Sequence, residues 1–440
     1  MIRSDSRRVK KGDIFVALKG IKSDGHDFIN DAISRGADEV VVEHGTYPVK
    51  TLVVSDTKEF LKDYLVNNYS NIFNDMVIIG ITGTNGKTTT SYLIYQALNK
   101  LGIKCSMIGT LGYYKSEKVG DLYNTCPDLA MMYELLIDSY NSGYKCVVLE
   151  ASSQGLAEDR LFGVKFDYAI FTNLTHDHLD YHKNVQNYVL SKKKLFSQLK
   201  DNGVGIVNGD DSYSKYFTCS NLITYGFNNC DYKIEKYSDY SFIFNNIVVN
   251  HNLIGKYNAY NLMSSIIVLL KMGFDLNSIL EVVKDISSPS GRMEVYNYLD
   301  NRIIVDYAHT PDAIENVLSS VKDYNKLYVV FGCTGNRDRA KRPIMTKLLL
   351  DKCDFCIITS DDLYDESFDS IVSDMLTGVD SNNYSVCPDR GSAIFKGISL
   401  LKSNDLLLVL GKGHESVIKI GSERIPFNDG ECIRNIIKSL

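Results

Sequence analysis

Short apolar runs separated by amphipathic stretches recur along the chain, and together they predict an α/β protein. β-Branched and apolar residues fill 77–81, 147–149, 168–171, 302–305, 326–331, 355–358 and 406–410. Each run has strand length and is apolar on both faces, as strands of a parallel sheet covered by helices must be. Helix-compatible segments lie between them, for example 87–101, which Gly102 ends. Nearer the start, 12–18 reads as a strand, 25–36 as a helix closed by Gly36, and 39–43 as a second strand. A Pro/Gly/Ser stretch at 287–291 reads as a linker. At 440 residues the chain is too long for one core. Three units are expected: 1–70, 71–288 and 289–440.

Composition narrows the class only slightly. The chain is 44% hydrophobic and 23% charged, as an ordinary globular protein is. A net charge of -6 without a long basic run speaks against a nucleic acid or membrane partner. No apolar stretch has bilayer length and the first residues lack a secretory apolar segment, so a cytoplasmic monomer is expected. The 10 cysteines are scattered and should be reduced. Cys353 and Cys356 form the one Cys-x-x-Cys, with no matching second pair for zinc.

The chemistry concentrates where apolar runs end. The run 77–81 passes into Thr82-Gly83-Thr84-Asn85-Gly86-Lys87-Thr88 and then a helix, a phosphate-binding arrangement. Gly83 and Gly86 let backbone approach an oxyanion. Lys87 can reach terminal phosphates, and the Thr88 hydroxyl can sit on Mg²⁺. The strict P-loop pattern fails at one position, where Ile81 stands in place of Gly. Glu150 ends the run 147–149, and His178 lies in a polar stretch that follows 168–171. Open α/β sheets bind ligands at these carboxyl ends, so both are candidate metal ligands beside the phosphate loop. Lys192, Lys193 and Lys194 read as a solvated helix face, and Asn258 and Asn261 as helix caps.

Read together, Thr82 to Thr88, the stretch Thr172-Asn173-Leu174-Thr175-His176-Asp177-His178-Leu179-Asp180-Tyr181-His182 and Gly411-Lys412-Gly413-His414-Glu415 resemble motifs of the Mur ligases, and the likeness covers nearly the whole chain. The resemblance implies a three-domain architecture: a uridine-nucleotide-binding N-terminal domain, a P-loop ATPase-like central parallel sheet, and a Rossmann-like C-terminal domain. It implies that Glu150 and His178 bind Mg²⁺ and that Lys192 is the family's carbamylated lysine, a further metal ligand with Thr88. Carbamylation would turn a cation into an anionic oxygen ligand. ATP would be held by Gly83, Thr84, Asn85, Gly86, Lys87, Thr88 and Thr89, with Asn258 and Asn261 bordering the adenine, Arg292 near the phosphates and Asp306 near the ribose.

The Asp5-Ser6-Arg7 stretch resembles the family branch that adds the third residue of the peptidoglycan stem peptide. Ser6 would then contact the uridine nucleotide, with the turn at 21–23 beside its diphosphate. Family members carry a further stretch ahead of this motif, so a reduced domain is expected. The acceptor, UDP-N-acetylmuramoyl-L-alanyl-D-glutamate, would be met by Asn124, Thr125, Cys126, Ser152, Glu158 and Arg160. Cys126 replaces a usual Thr, Gln154 a usual His, and Glu158 a common Gln.

The resemblance implies phosphorylation of the acceptor carboxylate by ATP and attack of an amine on the acyl phosphate, with closure of the C-terminal domain before chemistry. Arg337, Gly411 and Glu415 would bind the free amino acid, Arg337 at its α-carboxylate. Members that add meso-diaminopimelate carry Asp-Asn-Pro-Arg in the loop that here reads Asp361-Asp362-Leu363-Tyr364. A carboxylate at Asp362 and no Arg at Tyr364 favour a distal ammonium, hence a basic L-amino acid such as lysine or ornithine. Other classes fit less well. A folylpolyglutamate synthetase conflicts with Ser6 and its neighbours and with 411–415, whereas another amide ligase of the superfamily with a different carboxylate acceptor is the alternative reading. A non-catalytic nucleotide binder conflicts with the presence of Lys87, Glu150, His178 and Lys192. A nucleic-acid-remodelling ATPase gains nothing from the acidic balance.

Overall fold

The computed structural model describes residues 1–20, 23–175, 177 and 179–440, arranged in two compact units. The first comprises Met1–Leu174, Tyr181–Tyr232 and Ser264–Ile279; the second comprises Thr175–Asp180, Lys233–Met263 and Leu280–Leu440.

The first unit starts with a small parallel sheet, β1 (Ile2–Arg3), β2 (Asp13–Val16), β3 (Ala37–Val42) and β4 (Lys50–Val53), in that order. The stretch expected as one helix begins as a 3-10 turn, Gly25–Phe28, before the helix Ile29–Ser34. The cause is local: Asp24 accepts the His26 N–H at 3.0 Å, and the Gly25 N–H donates to Leu18 O at 2.8 Å. Ile2, Val16, Val41, Leu61 and Leu65 share one apolar core with the larger sheet behind. Arg3 adds polar ties, bonding Asp13 at 3.0 Å and reaching Glu134 on the helix Leu129–Asn141.

That larger sheet has nine strands: β5 (Val77–Thr82), β6 (Cys105–Gly109), β7 (Gly112–Tyr114), β8 (Lys118–Gly120), β9 (Cys146–Glu150), β10 (Phe166–Phe171), β11 (Leu199–Asn208), β12 (Asn221–Gly226) and β13 (Tyr232–Lys233). Their order is β13-β12-β11-β10-β5-β9-β6-β7-β8. From β12 to β6 every pair is parallel, and β7 and β8 add an antiparallel edge. β5 is central because its residues are buried on both faces; even Gly80 is closely covered, since a Cβ there would stand 2.7 Å from Leu195 Cδ1. Each fully buried Val, Leu or Ile here contributes about 1.5–3 kcal/mol.

The second unit holds a three-stranded meander, β14 (Glu235–Ser238), β15 (Ser241–Phe244) and β16 (Ile247–Asn250). Asn245 and Asn246, at φ 50° and 62°, make its left-handed turn. Its main sheet contains β17 (Glu294–Tyr298), β18 (Asn301–Asp306), β19 (Leu327–Phe331), β20 (Phe355–Ile358), β21 (Tyr384–Val386) and β22 (Leu406–Leu410), ordered β17-β18-β22-β19-β20-β21. All pairs but β17-β18 are parallel, giving a Rossmann-like sheet with apolar clusters on both faces. A hairpin of β23 (Val417–Ile420) and β24 (Glu423–Pro426) follows. The linker read at 287–291 is packed down: a Cβ on Gly291, at φ 68°, would stand 2.0 Å from His414 N. No described helix is long and apolar enough to cross a membrane.

Candidate active site

In the first unit, parallel neighbours β5, β9 and β10 bring three polar strand ends together. The loop after β5 is laced to the end of β10. Thr84 N–H donates to Asn173 O at 2.8 Å, Asn85 N–H to Asn173 Oδ1 at 2.9 Å, and the Thr172 hydroxyl to Asn85 O at 2.6 Å. Gly83 is required here: at φ 152° a Cβ would fall 1.8 Å from Thr172 Oγ1. Gly86, at φ 86°, opens the helix Lys87–Lys100, whose first turn buries Thr88 and Thr89.

Lys87 Nζ donates to the carbonyls of Gly83, at 2.9 Å, and Thr84, at 2.8 Å. Lys192, buried on the helix Val185–Ser197, also donates to Gly83 O, at 2.6 Å, and lies 4.4 Å from the centre of the Tyr188 ring. Two ammonium groups therefore converge on the phosphate loop, and Lys192 is not on a solvated face. The fold turns one side of its helix inward.

Glu150 at the end of β9 is fully buried. Its carboxylate accepts the Thr88 hydroxyl at 2.8 Å, the Thr110 N–H at 2.8 Å and the Thr110 hydroxyl at 3.0 Å. Gly109 makes room, since a Cβ there would come within 2.3 Å of Glu150 Oε1. A buried carboxylate met by uncharged donors, with a threonine hydroxyl beside it, is an oxygen set that suits a hard divalent cation such as Mg²⁺. Thr110 was not foreseen; it follows an apolar strand, the only signal it carries. His178 and the positions 21 and 22 lie outside the described residues.

Around the expected acceptor residues, Thr125 Oγ1 bonds Thr110 Oγ1 at 2.9 Å, which ties this loop to Glu150. Asn124 is exposed. Ser152 caps the short helix Ser153–Ala157 by accepting Gly155 N–H at 3.1 Å. Arg160 binds Glu158 Oε2 through Nε at 2.9 Å and Nη2 at 2.6 Å, and Cys126 O at 2.8 Å. Gln154 Nε2 also donates to Glu158, at 2.9 Å, so the unusual Gln154 and Glu158 are bonded partners. Cys126 is buried, which pushes its thiol up to about 12 and keeps it protonated. Ser6 is buried and its hydroxyl bonds Asp31.

In the second unit, Asn258 and Asn261 sit within the helix Lys256–Lys271 instead of capping an N–H: Asn258 Nδ2 donates back to Ile254 O at 2.7 Å, and Asn261 Nδ2 to Asn258 Oδ1 at 2.9 Å. Asp306 ends β18 and accepts the N–H groups of Met293 and Ala308, both at 2.8 Å; burial raises its carboxyl. The Arg292 guanidinium lies 4.3 Å from the centre of the Tyr307 ring.

The loops after β19, β20 and β22 bring Arg337, Asp362, Tyr364, Gly411 and Glu415 into one half of this unit. Gly335 N–H donates to Asp362 O at 2.7 Å, and a Cβ on Gly411, at φ 109°, would stand 2.7 Å from Asp361 Oδ2. Arg337 is exposed on its turn. Lys412, fully buried, bonds both Asp362 Oδ1 and Glu415 Oε2 at 2.8 Å. Burial opposes the Lys412 charge, but Asp361, Glu415 and Asp362 outweigh it and push the ammonium up to about 12. Lys419 Nζ donates to Asp362 Oδ2 at 2.8 Å. Asp362 is thus not the bare carboxylate on which the expectation of a distal ammonium rested. Lys412 stands inside a motif already singled out, whereas Lys419 has no linear signal.

Glu366 braces the turn that carries Arg337. It accepts Asn336 N–H at 2.5 Å and both Arg342 Nη groups at 2.9 Å. Arg342 holds its carboxyl at about 2 against an ordinary 4.5. A depressed carboxylate stabilises the fold above its ordinary value and loses that effect as pH falls through its folded one. Melting temperature should therefore decline between pH 4.5 and about 2. Glu366→Gln should flatten that decline in a fluorimetric melt series; an unchanged slope would remove Glu366 from the account.

Family models cover most of the chain and agree on one family. Residues 1–70 match the Mur ligase family catalytic domain, 81–269 the Mur ligase middle domain, and 291–413 the Mur ligase glutamate ligase domain. The chain is 39% identical to the UDP-N-acetylmuramoyl-L-alanyl-D-glutamate--2,6-diaminopimelate ligase of Clostridium botulinum, over 100% of this chain and 95% of that one. It is also 39% identical to the ligase of the same description from Aquifex aeolicus, over 99% and 93%. A solved structure described as a UDP-N-acetylmuramoyl-L-alanyl-D-glutamate--2,6-diaminopimelate ligase superposes with a TM-score of 0.67 at 32% identity, covering 100% of this chain and 94% of the other.

Proposed function

Because the chain belongs to the Mur ligase family of ATP-dependent peptide ligases, we propose that it adds an amino acid to the D-glutamyl carboxylate of UDP-N-acetylmuramoyl-L-alanyl-D-glutamate in the cytoplasm. The observation that carries this reading is the meeting of Lys87, Thr88 and Glu150 at adjacent strand ends, with the loop of Thr125 tied to Glu150 through Thr110. The residues proposed for phosphate chemistry and those proposed for the acceptor lie side by side within one unit, which supports this reading.

In the proposed reaction the γ-phosphoryl group of ATP passes to the acceptor carboxylate. The amine of the incoming amino acid attacks the acyl phosphate, an amide bond forms, and phosphate leaves with the proton balance met by solvent. Lys87 exchanges its two carbonyl partners for phosphate oxygens and stabilises the charge that spreads over them. Thr88, Glu150, His178 and carbamylated Lys192 are the residues proposed to hold Mg²⁺, which when bound neutralises phosphate charge. Asn258, Asn261, Arg292 and Asp306 are assigned to the nucleotide. Arg160 is assigned to the acceptor, where it would share its guanidinium with Glu158. Arg337, Gly411 and Glu415 are assigned to the free amino acid.

Sequence favoured lysine or ornithine over meso-diaminopimelate through Asp362 and Tyr364. With two lysines on Asp362 that preference loses its support, and the proposal is widened to a diamino acid, the class that includes the 2,6-diaminopimelate of the relatives' names. Phosphate release by the purified protein with ATP, Mg²⁺, the UDP-muramoyl dipeptide and a panel of amino acids tests this. Release should require the dipeptide and should be greatest with a diamino acid. Silence across the panel would overturn the acceptor assignment and point to another carboxylate.

A further inference from the structure

The charges around Asp362 are not equivalent, and the difference has a chemical consequence. Lys412 is buried and committed on three sides, to Asp362 and Glu415 at 2.8 Å and to Asp361 at 3.8 Å. Asp362 is buried as well, and its Oδ1 accepts the Lys419 backbone N–H at 3.0 Å in addition to Lys412. Lys419 and Glu415 reach solvent, each with 26% of its side chain exposed, and Lys419 is the one of the two lysines that does so.

An ammonium has three N–H donors. Two of those on Lys419 go to Asp362 Oδ2 at 2.8 Å and the Tyr364 hydroxyl at 3.3 Å, which leaves one. The backbone holds the group in place. Leu363 and Tyr364 N–H donate to Lys419 O at 2.8 and 3.2 Å, and Gly421 N–H donates to Tyr364 O at 2.7 Å. Tyr364 sits at φ 50°, a conformation unusual for a bulky residue and kept by this pairing. The accessible cation of the cluster is therefore pre-oriented and keeps a spare donor, while the Asp362 carboxylate beneath it is covered.

We infer that Lys419 is a specificity-determining residue that receives a carboxylate at the far end of the incoming amino acid, so that the diamino acid used is one bearing a second carboxylate. This rests on the ligase reading above. A ligand ending in an ammonium would meet the Lys419 charge instead of Asp362, and like charges there oppose binding.

The test compares meso-2,6-diaminopimelate, L-2-aminopimelate and L-lysine in amino-acid-dependent phosphate release by wild type, Lys419→Met and Lys419→Arg. A charge-assisted bond of this kind corresponds to roughly 10- to 100-fold in affinity. Wild type should use diaminopimelate well and lysine poorly. Lys419→Met should raise KM for diaminopimelate and aminopimelate by about that factor, with kcat little changed and no further loss toward lysine; Lys419→Arg should retain most of the wild-type KM. The inference is overturned by a wild-type preference for lysine, by equal losses toward all three amino acids in Lys419→Met, or by no change in KM. If Lys419→Met does not fold, the wild-type preference and the Lys419→Arg KM still decide. Turnover with none of the three overturns the ligase reading and this inference together, whereas turnover with lysine alone overturns only the inference.

Discussion

Lys87→Ala is expected to lower acceptor-dependent phosphate release by about 10³-fold while the melting temperature stays close to that of wild type. Both parts follow from the same geometry. Lys87 donates to the Gly83 and Thr84 carbonyls of its own loop, and the Lys192 side chain still meets Gly83 O when Lys87 is gone. The loop backbone keeps its bonds to Thr172 and Asn173. Little of the fold depends on the Lys87 ammonium, yet it is the loop's cation at the helix start where phosphate charge develops. Single-turnover phosphate release with saturating ATP separates the two effects. A loss smaller than tenfold would show that the helix amides carry the charge stabilisation instead.

The largest expected effect on stability lies in the second unit, at Arg390. Arg390 and Asp429 are fully buried, and Nε and Nη2 of the arginine meet the two carboxylate oxygens at 2.7 and 2.8 Å. The same guanidinium donates to Leu410 O at 3.0 Å and Ser360 O at 3.3 Å, the residues just ahead of Gly411 and Asp361. Arg390→Met would leave a buried carboxylate without its countercharge and two loop carbonyls without a donor, costing about 3–5 kcal/mol. Urea denaturation should show this loss. Pairing the change with Asp429→Asn should recover part of it, because no charge then remains uncompensated. Equal stability of Arg390→Met and wild type would mean that water reaches Asp429. Since Arg390 ties together the two loops of the proposed amino-acid site, the surviving folded fraction should also show a raised amino-acid KM.

Much of the architecture is legible in the chain before folding. The runs at 77–81, 147–149, 168–171 and 406–410 become β5, β9, β10 and β22 because apolar, β-branched residues without polar alternation can satisfy their backbone only in a sheet covered on both faces. The phosphate loop is legible for a similar reason. Its glycines, lysine and threonines act within one strand–turn–helix step, and a short local pattern carries all the geometry they need.

The state of the charges is another matter, and it was decided by the tertiary structure alone. Asp362 looked like a free carboxylate, but its partners Lys412 and Lys419 stand 50 and 57 positions away. Arg390 finds Asp429 across 39 positions. Lys192 seemed one of three solvated lysines until the fold turned it onto a carbonyl 109 positions earlier. Hydrophobic periodicity reports which face of an element is buried and has no access to such pairings. They depend on which strand ends become neighbours, and at short range in a low-dielectric interior a charge's partner decides whether it can still serve a ligand.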